Sequence, residues 1–389
     1  MVHLDDAERR HRLGVRHALA TPVGRTEDVV EAVAALHSTD PAAMVLSVLA
    51  RLAEPEVADV ERALYADRTV TRVLAMRRTV FAVPSTLVPT FLASTESSVA
   101  DSERRKLAKL AADQGYDAAW VAAVHAAALQ VVDGLGVFSS AELAAADPLL
   151  ATRFEIAPGT KYATTQAIAS RLLTLMSAEG HVVRTRPAGT WASTQFRWAA
   201  MDRWLPDLPP RPDAAAARAE VARRWLARFG PATPNDLQWW SGWTKGHTSA
   251  ALAAVGATEV DTDSGPAVIL PGDDAPTPPP APWVALLPAL DATTMGWKQR
   301  DWYLGPHAER VFDTNGNAGP TVWVDGRIAG GWAIRDDGTV AFELLTDVGS
   351  EAADRAAAEA ARIEQRLAGA VPKARARGWT PVERDLRSR

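Results

Sequence analysis

At 389 residues, with 47% apolar side chains and 14 Trp, the chain can hold roughly two to four structural units with substantial cores. It has no Cys, which excludes disulfides, thiolate metal sites and iron–sulfur clusters. A formal net charge of −5 weighs mildly against nucleic acid, although local clustering decides that question more than the total does. No run of about 18 apolar residues stands out, the stretch Met-Val-His-Leu-Asp-Asp lacks the apolar core of a signal peptide, and the His show no His-x-x-x-His spacing. A soluble, cytoplasmic protein without a structural metal is expected.

Val29, Val30, Val33 and Leu36 recur at helical spacing, and so do Met44, Val45, Val48, Leu49 and Leu52. Asp40-Pro41 between them is a helix start, because Asp caps a free N–H and Pro tolerates the first helical position. Residues 37–39 therefore read as a short extended connector. In an extended segment side chains two apart share a face, which places His37 and Thr39 side by side and turns Ser38 and Asp40 away. Two polar groups held at a rigid helix junction are a candidate site. The same pair also reads as one helix end and the cap of the next, with His37 bonding the preceding carbonyls.

A third helix follows Glu54-Pro55 with Val57, Val60 and Leu64 on one face. The β-branched run Thr69–Leu74 and its return Thr79–Val83 make a hairpin with Arg77-Arg78 at its tip. Three helices and a two-stranded ribbon are the pattern of a winged helix. Residues 86–115 form a helical bridge in which Arg104, Arg105, Lys106 and Lys109 read as a solvated face. The pattern returns with an amphipathic helix over 120–132, a Ser139–Glu142 capping box, a helix over 164–179 ended by Gly180, and a wing of strands 181–186 and 191–198 carrying Arg184, Arg186 and Arg197. A third copy starts near Asp213, with Gly230 ending its first helix, Thr233-Pro234 opening its second and a ribbon over 258–270. The Trp239-Trp240-Trp243 cluster reads as core rather than a stacking platform.

Pro271–Pro282 is a stiff linker. Beyond it, strand-like runs around Asp325-Gly326 and Asp337-Gly338 are hairpin signals and suggest a small barrel or closed meander. A helix over 351–367 and a basic tail over 373–389, expected to fray, complete the chain. The fold class is α+β: three tandem winged helix-turn-helix units and a small C-terminal β-barrel. The units are 1–85, a bridge 86–116, 117–212, 213–271, a linker 272–282 and a barrel module 283–389. No Gly-rich phosphate loop and no nucleophile elbow occurs.

Four motifs carry a resemblance. They are Leu36-His37-Ser38-Thr39-Asp40-Pro41; Arg77-Arg78-Thr79-Val80-Phe81-Ala82-Val83-Pro84; Phe229-Gly230-Pro231-Ala232-Thr233 with Trp240-Ser241-Gly242; and Leu287-Pro288-Ala289-Leu290-Asp291 with Arg300-Asp301-Trp302 and Val324-Asp325-Gly326-Arg327. In order and spacing the chain resembles the AlkZ/YcaQ-like family of winged-helix DNA glycosylases over nearly its whole length. The resemblance implies a concave monomer that needs no cofactor or metal, grips duplex DNA bearing a bulky alkylated purine, and cleaves the glycosidic bond. The family's catalytic pair is Gln-x-Gln or Gln-x-Asp, and the matching positions here are His37 and Thr39. Arg77, Arg78, Arg184, Arg186, Arg197 and Arg327 are the expected DNA contacts, with the Asp325-Gly326 or Asp337-Gly338 hairpin near the duplex.

An N7-alkylated purine is already cationic and leaves without strong acid catalysis, so the protein must position water and stabilise an oxocarbenium-like sugar. Neutral His37 can accept from that water or hold it, and Thr39 can anchor it but cannot act as a base. Excision weaker or differently targeted than in carboxylate-bearing members is expected. Two other readings stand beside this one: a catalytically weak or inactive DNA-binding regulator or damage sensor, and a protein-interaction scaffold.

Overall fold

The computed structural model describes residues 2–157, 159–161, 163–367, 370–372 and 378–388. Helix α1 (Asp6–Arg16) starts on Asp5, whose carboxylate accepts from the Glu8 N–H. Helix α2 (Thr26–Ala32) turns into strand β1 (Leu36–His37), and α3 (Pro41–Leu49) follows. Helix α4 (Val57–Glu61) continues as a π-helical turn, Arg62–Ala66, and leads to the hairpin β2 (Val70–Leu74) and β3 (Val80–Pro84). The connector is extended because its backbone has a partner. Leu36 lies opposite Ala82 and His37 opposite Phe81, giving the order β1-β3-β2.

The bridge is two helices, α5 (Val88–Thr95), largely buried, and α6 (Ala100–Asp113). On α6, Arg104 pairs with Asp101, Lys106 with Glu103 and Lys109 with Asp113, as a solvated face does. Next come α7 (Ala118–Leu135), α8 (Ser140–Ala146) with the expected capping box, strands β4 (Arg153–Ile156) and β5 (Thr164–Ala167), and α9 (Ile168–Glu179), which Gly180 ends at φ +90°. Strands β6 (Val182–Arg184) and β7 (Trp198–Ala200) lead into α10 (Met201–Trp204).

Three expectations are corrected in this stretch. Residues 164–167 are not helical: Thr164 and Thr165 are β-branched, and the segment pairs with β4, with Glu155 opposite Thr165. The wing returns as a strand only at Trp198, whose N–H and C=O bridge to Phe138, so 185–197 is an irregular loop. And α7 is long and apolar enough to cross a membrane by length and composition alone. Its Val124, Ala128 and Val132 pack with Leu107, Leu172 and Met176 in a core of this segment's own.

Helices α11 (Ala214–Phe229), α12 (Pro234–Ser241) and α13 (Lys245–Ala254) precede the ribbon β8 (Thr258–Val260) and β9 (Ala267–Ile269), as expected. The linker is strapped to α1: the Arg12 guanidinium donates to the Asp273 and Ala275 carbonyls, and the Glu8 carboxylate accepts from the Thr277 N–H. Strand β10 (Val284–Leu287), short helices α14 (Asp301–Leu304) and α15 (Ala308–Val311), and strands β11 (Thr321–Val324), β12 (Arg327–Ile334) and β13 (Val340–Leu344) follow.

These strands form a four-stranded antiparallel meander in chain order, and among the described residues no ladder joins β13 to β10. The expected barrel is therefore an open sheet. Helix α16 (Ser350–Leu367) packs on both edge strands, covering their apolar face instead of a closing ladder. The final helix α17 (Pro381–Ser388) corrects the expectation of a fraying tail: Val382, Glu383 and Leu386 are buried, and the helix packs on β12 and β13. Residues 373–377 and 389 of that tail lie outside the described residues.

One apolar core runs from Leu13 and Val29 through Trp225 and Trp240 to Trp302, Trp323 and Leu386. At its centre Arg51 and Asp291 are fully buried. The two Arg51 terminal nitrogens reach the two Asp291 oxygens at 2.8 and 2.9 Å, and the rest of the guanidinium bonds the His17 and Ser47 carbonyls and Thr293 Oγ1. This clamp fixes the end of α3 to the segment after β10.

Candidate active site and nucleic-acid interface

The strand–cap–helix junction sets the site. Pairing of β1 with β3 fixes His37, the Ser38 N–H donates to the Val80 carbonyl, and the Val80 N–H donates back to Thr39 Oγ1 at 3.2 Å. Asp40 then opens α3, its Oδ1 accepting from the Ala42 and Ala43 N–H groups. The backbone thus stays extended through Thr39. His37 Nε2 and Thr39 Oγ1 stand 3.4 Å apart, at the long end of hydrogen-bonding distance, as the period of two requires.

The His37 ring meets Phe81 edge-on at 5.6 Å, and its Nδ1 is buried without a hydrogen-bond partner. The ring does not bond the carbonyls of α2, so the helix-ending alternative is not what this side chain does. Burial first, and then the Arg77 guanidinium, lower the imidazole pKa to about 4. It is neutral throughout the physiological range.

His37 and Thr39 open onto a cleft of about 950 Å³. Its walls come from three parts of the chain: Arg77 and Thr79 at the first hairpin, the loop 188–195, and Leu290, Asn315 and Asn317 beside the sheet. Asp40, expected to turn away from the pair, instead lines the same cleft and is the one carboxylate among the described lining residues. Sequence reasoning pointed to the junction, to the wing and, as part of a family motif, to Leu290, but not to Asn315 or Asn317. Their loop matches no motif, and only folding brings it opposite His37.

Of the six arginines singled out, Arg77 alone lines this cleft. Arg78 is paired with Glu103 at 2.7 Å, Arg186 with Glu61 at 3.0 Å, and Arg197 with Glu142 at 3.2 Å. Arg184 is packed 4.1 Å over the Phe196 ring and 5.2 Å from Trp198, and burial, then Arg72, lower its pKa to about 10. The expected convergence on the His37 cleft is thus limited to one residue.

Arg327 lies elsewhere, in a concavity of about 850 Å³ shared with Arg10 and Trp302. The Asp325-Gly326 turn beside it is packed on α1, since a Cβ at Gly326 would sit 2.6 Å from the Arg10 Cβ. Gly326 is buried there, while Asp325 and Arg327 on either side of it are exposed. The other turn, at Gly338, approaches Val371, which lines the His37 cleft.

The Trp cluster divides. Trp240 and Trp243 are buried, as expected of core, but Trp239 is half-buried. The Arg77 and Arg300 guanidinium carbons lie 4.3 and 4.9 Å from its ring centroid.

Folding also gathers a group that the His spacing does not show. His125, Glu179 and His181 bring one donor atom each within 4.8 Å of one another. The Glu179 carboxylate already accepts from His125 at 2.8 Å and from Arg104 at 2.7 Å. A carboxylate so occupied makes an ion-pair cluster, and it gives no ground for assigning a metal.

No curated protein sequence matches the chain. In structure it is similar to the Streptomyces sahachiroi DNA glycosylase AlkZ, with a TM-score of 0.71 at 21% identity over 92% of this chain and 96% of that one. That likeness establishes a shared fold, in which helices alternate with small antiparallel sheets. The family model for DNA glycosylase AlkZ-like proteins matches residues 30–366, a span that includes the His37–Thr39 junction, the cleft walls and the sheet. The chain belongs to the family of AlkZ-like DNA glycosylases.

Proposed function

We propose that the protein is a monofunctional DNA glycosylase that hydrolyses the N-glycosidic bond of bulky N7-alkylated purines in duplex DNA, interstrand crosslinks included. It acts as a cytoplasmic monomer, without cofactor, on DNA of the nucleoid. In this reading the three sets of helices, each followed by a small hairpin, work as tandem winged-helix units that present the duplex to the cleft. The observation that carries the proposal is the His37–Thr39 pair, 3.4 Å apart on the wall of a cleft of about 950 Å³, at the positions of the family's catalytic residues.

A water bridging His37 Nε2 and Thr39 Oγ1 would be held at two points and aimed at C1′ of a bound nucleotide. The C1′–N9 bond breaks with its electron pair going to the cationic purine, which departs as a neutral base. The water oxygen bonds to C1′ and its proton passes to solvent. An imidazole with a pKa of about 4 is a poor proton sink, so His37 orients the water and does not hold the proton. Such orientation suffices for a leaving group that is already charged. Asp40 supplies negative charge on the same wall, where the sugar becomes positive.

The test is incubation of the protein with a duplex carrying an N7-alkylguanine. Free base is released, and His37→Ala lowers the single-turnover rate by about a hundredfold. No release from any N7 adduct, together with unchanged duplex binding by the variant, would favour the second reading. That reading is a non-catalytic damage sensor, and His-Ser-Thr in place of Gln-x-Gln or Gln-x-Asp is the feature that motivates it.

A further inference from the structure

We propose that Arg77 and Arg300, gathered on the indole of Trp239, form a seat for one phosphodiester of the duplex backbone beside the His37 cleft. The proposal rests on the duplex-DNA reading above and adds a binding site where the first hairpin and the residue before α14 meet α12.

Two like charges rarely share one ring unless something holds them there. Arg77 lies 4.3 Å from the Trp239 centroid, and Arg300 lies 4.9 Å from it and 4.8 Å from that of Phe312. The aromatic faces attract both cations and fix their directions. Arg300 is further anchored by Nε, which donates to the Trp297 carbonyl at 2.9 Å.

Arg77 is anchored through its backbone. It sits at φ +51° on the hairpin tip, where a side-chain-bearing residue is disfavoured, and it packs on Gly242 at the end of α12. A Cβ there would lie 3.2 Å from both Arg77 N and Arg77 Cγ.

Among the described residues neither guanidinium has a carboxylate within 4 Å, whereas Arg78, Arg186 and Arg197 each have one. The pair therefore stays mutually repelling in the free protein, and burial followed by the Arg300 charge lowers the Arg77 pKa. An anion relieves that repulsion. The guanidinium fork suits two oxygens of one phosphodiester.

The placement fits a backbone contact. Arg77 lines the His37 cleft, while Arg300 lines a neighbouring hollow of about 610 Å³ with Asn235, Lys298 and Gln299. Trp239 bridges the two. A strand with its damaged nucleotide at His37 would carry an adjoining phosphate across this rim.

The experiment is fluorescence anisotropy of intact and N7-alkylated duplexes, titrated with the full-length protein across a range of salt. Arg300→Gln weakens binding to both duplexes by about tenfold, and the slope of log K against log salt falls by about one, the signature of one lost phosphate contact. Arg300→Lys, which keeps the charge but not the fork, restores the slope and part of the affinity. Trp239→Leu weakens binding as Arg300→Gln does, and it provides a second variant should one of them fail to fold. Arg223→Gln, at a site paired with Glu220 on α11, changes neither quantity. Wild-type affinity and slope in both Arg300→Gln and Trp239→Leu would overturn the seat and leave the DNA reading intact. Absence of duplex binding by the wild-type protein at low salt would overturn both.

Discussion

His37 joins two conditions that rarely meet in one side chain: a ring enclosed enough to lose its proton, and an edge that meets a cleft. For Nε2 to accept from water, the ring proton must sit on Nδ1, which is buried without an acceptor. An unmet buried donor costs about 1–3 kcal/mol, a penalty that ordinary core histidines avoid by bonding. His17 shows the contrast, since its two nitrogens meet Thr293 Oγ1 and the Arg228 carbonyl at 2.8 and 3.2 Å.

The pH dependence follows. With the His37 pKa at about 4, excision stays flat from pH 8 to about pH 5 and falls only on approach to pH 4. A rate profile with its midpoint near the ordinary His value of 6.5 would contradict this assignment. The stability effect has a definite sign. The folded pKa lies below the unfolded one, so between pH 6.5 and about 4 the unfolded chain binds more protons and stability declines as pH falls. His37→Gln flattens that part of a melting-temperature profile, and His17, lowered to about 3 by burial and the Arg51 charge, keeps a slope of the same sign.

At the scale of the element, Asp40 belongs to two structures at once. It opens α3 by accepting two backbone N–H groups, and it lies on the cleft wall. Asn caps a helix about as well as Asp, but it carries no charge. Asp40→Asn therefore keeps the cap and lowers excision by about tenfold, because one charge beside a developing cation is lost. Asp40→Ala loses the cap as well and destabilises the protein by about 1 kcal/mol. Calorimetry beside single-turnover kinetics separates the two roles. Equal excision by Asp40→Asn and wild type would confine Asp40 to capping.

Across the whole molecule, the Arg51–Asp291 clamp holds the His37–Thr39 junction in register with the sheet. Burial pushes the Asp291 carboxyl up. The Arg51 charge, with hydrogen bonds from Arg51, Ser47 and the Thr293 N–H, outweighs it and keeps the carboxyl below its ordinary range. Leu290, next to Asp291, sits at φ +59° and lines the cleft, so the clamp also sets one wall of it. Arg51→Met leaves a buried carboxylate unpaired and destabilises the protein by about 3–5 kcal/mol, to be read from denaturant unfolding. A loss below about 1 kcal/mol would show that the junction is held by apolar packing alone.

The helix starts at Asp40-Pro41, Ser139 and Thr233, the helix ends at Gly180 and Gly230, and the parity of His37 with Thr39 were all legible in the chain. Each depends on hydrogen bonds or dihedral preferences that act over a few residues, which is why one sequence suffices to find them. The Leu287–Asp291 motif was legible as a family mark, but its buried role was not, since Asp291 is defined by Arg51, 240 positions away. Charge was least legible. Arg77, Arg78, Arg186 and Arg197 look alike in sequence, and which of them is paired depends on whether Glu103, Glu61 or Glu142 lies nearby in space. The open sheet in place of a barrel, the packed Asp325-Gly326 turn and the assembly of the cleft walls were likewise decided by tertiary packing. Local backbone chemistry wrote the elements and the His37–Thr39 pair into the sequence. The cleft's shape and the lack of a carboxylate partner for Arg77 among the described residues arise from long-range proximity, which no short stretch of chain encodes.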